Sequence, residues 1–295
     1  MKNKIIIVLV AVSCNLFMIN AQKMNVATYN LRNANAGDVA NGNGWEQRYP
    51  VVCKLIQFHD FDIFGSQEVL KRQLDDMLNV MTEYASIGVG RDDGKDKGEF
   101  EPIFYKKDLF SIQKSGDFWL STVTDKPNIG WDAAYPRICT WGKFKMKKNG
   151  KSFWVFNLHM DHIGVVARSE SAKLVLERIK TMCGSDPVIL MGDFNVDQHH
   201  EAYLLLNNSG VMKDVYDTAK IRYALTGTFN DFKPNRVIDE RIDHIFVSSH
   251  FKAIRYGILT DTYRIGTEEL PQDCSQIRMP SDHFPVMTTL EFSSK

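Results

Sequence analysis

The chain carries no excess of charge: 36 basic side chains stand against 36 acidic ones over 295 residues. Gripping a polyanion along its length takes a basic surface, so tight non-specific nucleic-acid binding is disfavoured from the outset, though left open. The five cysteines include no CxxC pair, which removes the usual zinc sites. There is no internal repeat at a fixed short period, no low-complexity tract and no Pro/Ser linker. Solenoids and tethered domains are thereby set aside. Past the N-terminal segment, no apolar run is long enough to span a bilayer.

What is present belongs to a packed globular protein: 44% hydrophobic and 11% aromatic residues. The first residues form a secretory signal pattern. Lys2 and Lys4 supply the positive start, Ile5–Ile19 the mostly apolar stretch, and Ala21 the last residue before cleavage. Residues 1–21 are therefore expected to be a signal peptide, residues 22–295 one domain, and the mature protein secreted or periplasmic. Lipid attachment at Cys14 is the alternative, but Asn15–Ile19 stays apolar where a polar tether would be needed. Cleavage leaves Cys53, Cys139, Cys183 and Cys274. Cys53 and Cys139 sit in apolar periodic stretches and read as small core residues. An oxidising compartment permits a disulfide, which the sequence does not pair.

Apolar runs and helical patterns then alternate. Strands are predicted at Met24–Tyr29, Phe61–Gly65, Ile103–Tyr105, Phe110–Leu120, Ile138–Met146, Ser152–Leu158 and Val188–Met191, and near Ile242–Val247, Ala253–Leu259 and Pro285–Leu290. Helices are predicted at Trp45–Phe58, Leu70–Val80, Ala167–Met182 and Glu201–Leu206. Hairpins mixed with helical crossovers imply two packed mixed sheets with helices outside. Asn33–Gly44 and Gly88–Gly98 are long enough, and rich enough in Gly, Asn and Asp, to be loops that rim a site.

The chemistry gathers where these runs end. Gly192-Asp193-Phe194-Asn195 follows one predicted strand, and Ser281-Asp282-His283 precedes another. Asn30, Gln67-Glu68, Asn157-Leu158-His159 and Asp243 have the same placement. Carboxylates, amides and imidazoles at neighbouring strand ends are what metal-assisted phosphoester hydrolysis requires. Read singly, each has a plainer explanation. Glu68 could be a solvated turn acid, His159 a satisfied core histidine, and Arg137 a structural ion pair. His162 reads as a core or capping residue, and His199 and His200 as exposed. Trp45 and Arg48 read as anchors of the first helix. Phe229 and Phe232 read either as loop packing or as stacking residues.

In combination these motifs resemble the endonuclease/exonuclease/phosphatase superfamily, from Met24 to Phe292. Pro102-Ile-Phe-Tyr105, Trp131-Asp132 and Pro136-Arg137-Ile-Cys-Thr-Trp141 are similar to a secreted bacterial branch of it. The resemblance implies a four-layer α/β sandwich with one cleft at the strand ends. It also implies a phosphoesterase that uses Mg²⁺ or Mn²⁺, held by Glu68 and Asp282 with Asn30 beside them; oxygen ligands suit these hard ions better than Zn²⁺. Asp193 would activate water, and Asn195 would hold water or a phosphate oxygen. His159 and His283 would serve the developing phosphorane. Asp243 would pair with His283, and Glu99 with His159, with Glu101 close enough to compete. Arg137 would be a phosphate contact. The expected partner is a phosphate-ester substrate, nucleic acid among the possibilities, taken by a monomer. Lys95, Lys97, Lys106, Lys107, Lys147, Lys148 and Lys151 are the candidates for a nuclease groove. No aromatic hairpin for a lipid surface stands out. A binding module that had lost its chemistry should lack one of these site residues, and none is missing.

Overall fold

The computed structural model describes residues 23–264 and 277–293. The expected signal peptide and Cys274 lie outside them. In chain order the elements are β1 Lys23–Asn30, α1 Ala36–Ala40, α2 Trp45–Phe58, β2 Ile63–Gln67, α3 Lys71–Val80, β3 Tyr84–Ile87, β4 Ile103–Lys106 and β5 Phe110–Trp119. They continue as β6 Ile138–Met146, β7 Ser152–His159, α4 Val165–Cys183, β8 Val188–Asp193, α5 Glu201–Asn207, β9 Lys213–Asp214, α6 Val215–Thr218 and β10 Ile221–Tyr223. The last are β11 Asp243–Val247, β12 Phe251–Ile258, β13 Tyr263–Arg264, β14 Ile277–Arg278 and β15 Val286–Phe292.

One sheet runs β10-β12-β15-β1-β2-β4-β3 and the other β5-β6-β7-β8-β11-β9. Both are mixed: β1–β2 and β7–β8 pair in parallel, while β1–β15, β6–β7 and β8–β11 are antiparallel. The central strands are apolar on both faces, as strands covered on both sides must be. Val26, Ile63, Val155, Ile189 and Ile245 face the space between the sheets. Their neighbours point outward, Ala27 and Phe64 beneath α2 and α3, Phe156 and Leu190 beneath α4 and α5. The result is the expected four-layer sandwich, α/β/β/α.

Local chemistry explains the helix boundaries and loops. Within the expected Asn33–Gly44 loop, Asn35 caps α1 by accepting from the N–H of Asp38 at 2.9 Å. Arg48 of α2 is fully buried, and its guanidinium donates to the carbonyls of Leu31, Arg32, Asn43 and Pro280. It therefore anchors the helix to the loop at the site as well as to the core. Trp45 donates to Asp76 of α3. The strands missing from the sequence pattern, β3, β9, β10, β13 and β14, span only two to four residues, too few for a period to register. Cys53, Cys139 and Cys183 are buried free thiols. Among the described residues, no helix is long and apolar enough to cross a membrane.

One side chain in the sheet should give the fold a pH dependence. Burial pushes Asp117 of β5 up from 3.8 to about 6, against the hydrogen bonds it accepts from Thr140 and the N–H of Val89. The folded chain then keeps a proton that the unfolded chain has released. Stability is complete below about pH 4 and declines as the pH rises through 6. Asp117→Asn retains an acceptor for Thr140 Oγ1, 2.7 Å away. The variant should match the wild type in denaturant melts at about pH 4 and exceed it at about pH 8. An equal difference at both values would discard this account.

Candidate active site

Strand register builds the floor of the site. In β7–β8 His159 pairs with Asp193, and in β8–β11 Asp193 pairs with Asp243, so three residues from distant parts of the chain stand on one rung. Gly192 makes this approach possible. Its φ is 151°, and a Cβ there would lie 2.1 Å from the carbonyl oxygen of Leu158. From the other sheet, Asn30 ends β1 and Glu68 follows β2. The turn before β15 delivers Asp282 and His283, with Ser281 Oγ donating to the carbonyl of Asn30 at 2.7 Å. Glu68 and Asn195 adopt left-handed backbone, φ 61° and 49°, an uncommon conformation for non-glycine residues.

Asp193 is the hub. Its Oδ1 accepts from the N–H of Asn195 at 2.9 Å. Its Oδ2 accepts from Asn30 Nδ2 at 3.0 Å and lies 3.5 Å from His159 Nε2 and 3.8 Å from His283 Nε2. Burial, reinforced by the nearby charge of Asp243, pushes Asp193 up to about 7 despite His283 and the two hydrogen bonds.

The two imidazoles differ. His283 Nδ1 is 2.9 Å from Asp243 Oδ2. Burial alone would disfavour its cation, but Asp243, Asp193 and Asp282 overcome that and raise it to about 10. His159 is driven the other way, well below the ordinary histidine range, by burial and by the cations Arg137, Arg91 and His283. Its tautomer follows from the hydrogen bonds. Asn195 Nδ2 donates to the carbonyl of Met160 at 2.9 Å and also faces His159 Nε2 at 3.0 Å. Nε2 must therefore accept, which places the proton on Nδ1. One neutral and one cationic imidazole flank a single carboxylate.

Facing Nδ1, 3.8 Å away, is Glu101 and not the expected Glu99. Glu101 is wholly buried, and its carboxyl is held well above the ordinary range by burial and by the charge of Glu99. Glu99 instead meets Arg91 Nη1 at 2.5 Å and accepts from Asn33 Nδ2 at 3.0 Å. The Glu99–His159 pairing is thus corrected. Phe100 pairs back to Val69 and Gly90, so Glu99 and Glu101 share one face, and it is Arg91, at 2.5 Å, that takes Glu99 while Glu101 is left facing the imidazole.

Other expectations are also refined. Asp193 and Asn195 both line the cleft, but the strand ends at Asp193 and the left-handed turn at Asn195 brings its amide around, where simple strand alternation was expected. Asn30 turns its amide nitrogen toward Glu68 and Asp193, while its oxygen accepts from the N–H of Arg32. Arg137 does form an ion pair, to Asp161 at 3.2 Å, yet its Nη1 is buried at the cleft wall without a hydrogen-bond partner among the described residues. His162 is exposed and contacts Arg137 at 3.0 Å, so it is not a core residue. Phe229 packs on the His283 ring, centroids 5.0 Å apart. Arg32, Arg91, Tyr135 and Asp161 were not singled out from the sequence, where loop residues carry no period.

All these elements surround one cleft of about 830 Å³. A second hollow of about 840 Å³, beside Val211, Phe251 and Phe292, contains none of the site residues. Two groups have ligand atoms within 4.8 Å of one another, Glu99–Glu101–His159 and Asp193–Asp243–His283. Either could hold a metal by spacing alone, although the 2.9 Å contact makes Asp243–His283 an acid–imidazole pair in this structure. Asp282 lies near Glu68. Burial, with the charge of Glu68, holds Asp282 up at about 6 although His283, Arg32 and Arg48 oppose this. Crowded oxygen donors of this kind fit a hard divalent ion.

Residues 27–283 match the Endonuclease/Exonuclease/phosphatase family. The chain belongs to this family. A family protein of known structure from Bacteroides thetaiotaomicron is 54% identical, with a TM-score of 0.90 over 93% of this chain and all of that one. A mannosyl-6-phosphatase from the same organism is 55% identical, with a TM-score of 0.88 over 91% of this chain and all of that one. An uncharacterized protein of Acanthamoeba polyphaga mimivirus is 30% identical, over 84% of this chain and 92% of that one. Both sheets and the flanking helices are those of the family fold, and the chain is a phosphoester hydrolase by membership.

Proposed function

We propose that this family member is a secreted or periplasmic phosphatase that hydrolyses a small sugar phosphate with the help of Mg²⁺ or Mn²⁺. The observation that carries the reading is the pairing of a neutral His159 and a cationic His283 on either side of Asp193 at the cleft floor. Asp193 accepts the proton of the attacking water, its raised pKa making it a better base than an ordinary aspartate. His283, held cationic by Asp243, donates a hydrogen bond to the phosphoryl oxygens and gives its proton to the sugar oxygen as the P–O bond to the sugar breaks. Asn195 and the free Nη1 of Arg137 hold further oxygens. His159, with Glu101 behind its Nδ1, keeps an acceptor turned toward Asn195 and Asp193. Glu68 and Asp282, with the Asn30 amide beside them, would hold the metal. When bound, the ion supplies charge neutralisation for the phosphoryl oxygens.

Two features favour a small ester over a nucleic acid. Among the described residues, six carboxylates line the cleft against four Lys and Arg side chains and the cationic His283. Three of those four side chains, Arg32, Arg91 and Lys233, are paired with Asp38, Glu99 and Asp231, and the fourth, Arg137, with Asp161 outside the lining. None of the seven lysines considered for a nuclease groove lines the cleft. The sugar comes from likeness to the mannosyl-6-phosphatase.

The test is phosphate release from mannose 6-phosphate with Mg²⁺ or Mn²⁺, then with chelator, then with metal restored. Activity should disappear and return. Glu68→Gln should raise the Mg²⁺ concentration needed for half-maximal rate. Full turnover in chelator would remove the metal, and cleavage of plasmid DNA without release from sugar phosphates would remove the small-ester reading. N-terminal sequencing of the exported protein checks cleavage after Ala21.

A further inference from the structure

The wall of the cleft beside His159 has a composition that phosphate chemistry does not need. Tyr135 is 51% exposed, although it is a large aromatic residue at the edge of a polar cleft. His162, also exposed, lies parallel to it within 14°, with ring centroids 6.1 Å apart. Arg91 lies beneath, its guanidinium 5.4 Å from the Tyr135 ring. Arg91 is only 7% exposed and its Nε, 3.9 Å from Asp92 Oδ1, has no hydrogen-bond partner among the described residues. Its charge is already met by Glu99 at 2.5 Å. A neutralised arginine whose donor is buried and unsatisfied at a cleft wall is costly to keep unless something accepts from it.

We infer that Tyr135, His162 and the Arg91–Glu99 pair form the subsite that recognises the sugar ring of the substrate, deepening the phosphatase reading on which the inference rests. The chemistry matches a hydroxyl-rich ring. Arg91 donates to ring hydroxyls and Glu99 accepts from them, while the half-exposed Tyr135 ring, with His162 beside it, gives an apolar ledge for the C–H face. Because the ion pair is internally neutral, it selects polar uncharged groups over a second phosphate. The corrected role of Glu99 follows: it belongs to substrate selection, and Glu101 to His159. Gly88–Gly98, read from sequence as a loop at the rim of a site, supplies Arg91.

The experiment compares kcat/KM for mannose 6-phosphate with that for n-propyl phosphate, which has neither ring nor hydroxyls. In Tyr135→Ala the ratio between the two esters should fall about tenfold, the upper range of aromatic contact energies. The loss should enter through KM for the sugar ester. Tyr135→Phe should keep the wild-type ratio, because the ring and not its hydroxyl forms the ledge. Tyr135 is half-exposed, so its truncation should not threaten folding. An unchanged ratio in Tyr135→Ala would overturn the subsite, as would equal losses on both esters. A ratio that fell equally in Tyr135→Phe would overturn the ledge. Should the wild type release phosphate from neither ester, the phosphatase reading fails first and takes the subsite with it.

Discussion

Asp193→Asn is expected to fold normally and to lose turnover by about 10²–10⁴-fold, the range for a positioned general base. The substitution preserves volume and leaves one carbonyl oxygen, which can still accept from the N–H of Asn195, now 2.9 Å from Oδ1. It removes the negative charge that Asn30, His159 and His283 all face. No base of matched pKa then remains at the hub, and His283 loses one of the acids that keep it cationic. Since Glu68 and Asp282, the acids proposed to hold the metal, and Arg137 are untouched, the loss should fall on kcat with KM for the phosphate ester nearly unchanged. Steady-state phosphate release across substrate concentrations decides it. Turnover close to wild type would show that water is activated elsewhere, and the proposed mechanism would fall.

The neighbouring residue should behave in the opposite way. Phe194 has no exposed surface, and its ring packs against His244 and Phe246 at centroid distances of 5.5 and 5.4 Å. Truncating it leaves a cavity under the α4–α5 layer, so Phe194→Ala should cost about 3–5 kcal/mol. Turnover per folded molecule should stay near wild type, because the backbone of this turn is tied by the N–H of Phe194 to the carbonyl of Ile242 at 2.8 Å. Denaturant melts and active-site-normalised rates measure the two quantities separately. A stable but inactive Phe194→Ala beside an active Asp193→Asn would reverse the assignment of faces at this turn.

The contrast between these neighbours marks where sequence reading works. The run Val188–Met191 declares a buried strand, because only strands covered on both faces are apolar without alternation, whereas Met24–Tyr29 declares one by alternating apolar and polar residues. Helix α2 is legible from Trp45 to Phe58 for a similar reason, its period matching one buried stripe. The polar residues that interrupt these runs mark strand ends, which is why Asn30, Glu68, His159, Asp193, Asp243, Asp282 and His283 could be named as a group. Strands of two to four residues offered no such pattern, and neither did the loop positions Arg91 and Tyr135.

The order of apolar and polar residues along this chain was enough to determine its layers, its family resemblance and the neighbourhood of its site. Which carboxylate faces His159 was decided only by the tertiary structure. Glu99 and Glu101 are two residues apart and share one face of the extended backbone around Phe100, their carboxylates and His159 lying within 4.8 Å of one another, and only the placement of Arg91 and of the imidazole gives each acid its partner. The unlike protonation of His159 and His283 was likewise set by the fold. It depends on burial and on charges contributed from distant parts of the chain: Arg91, Arg137 and His283 for His159, and Asp193 and Asp243 for His283. The physical reason is range: hydrophobic period is a local property of the chain, whereas electrostatic environment and strand register are sums over neighbours that only folding brings together.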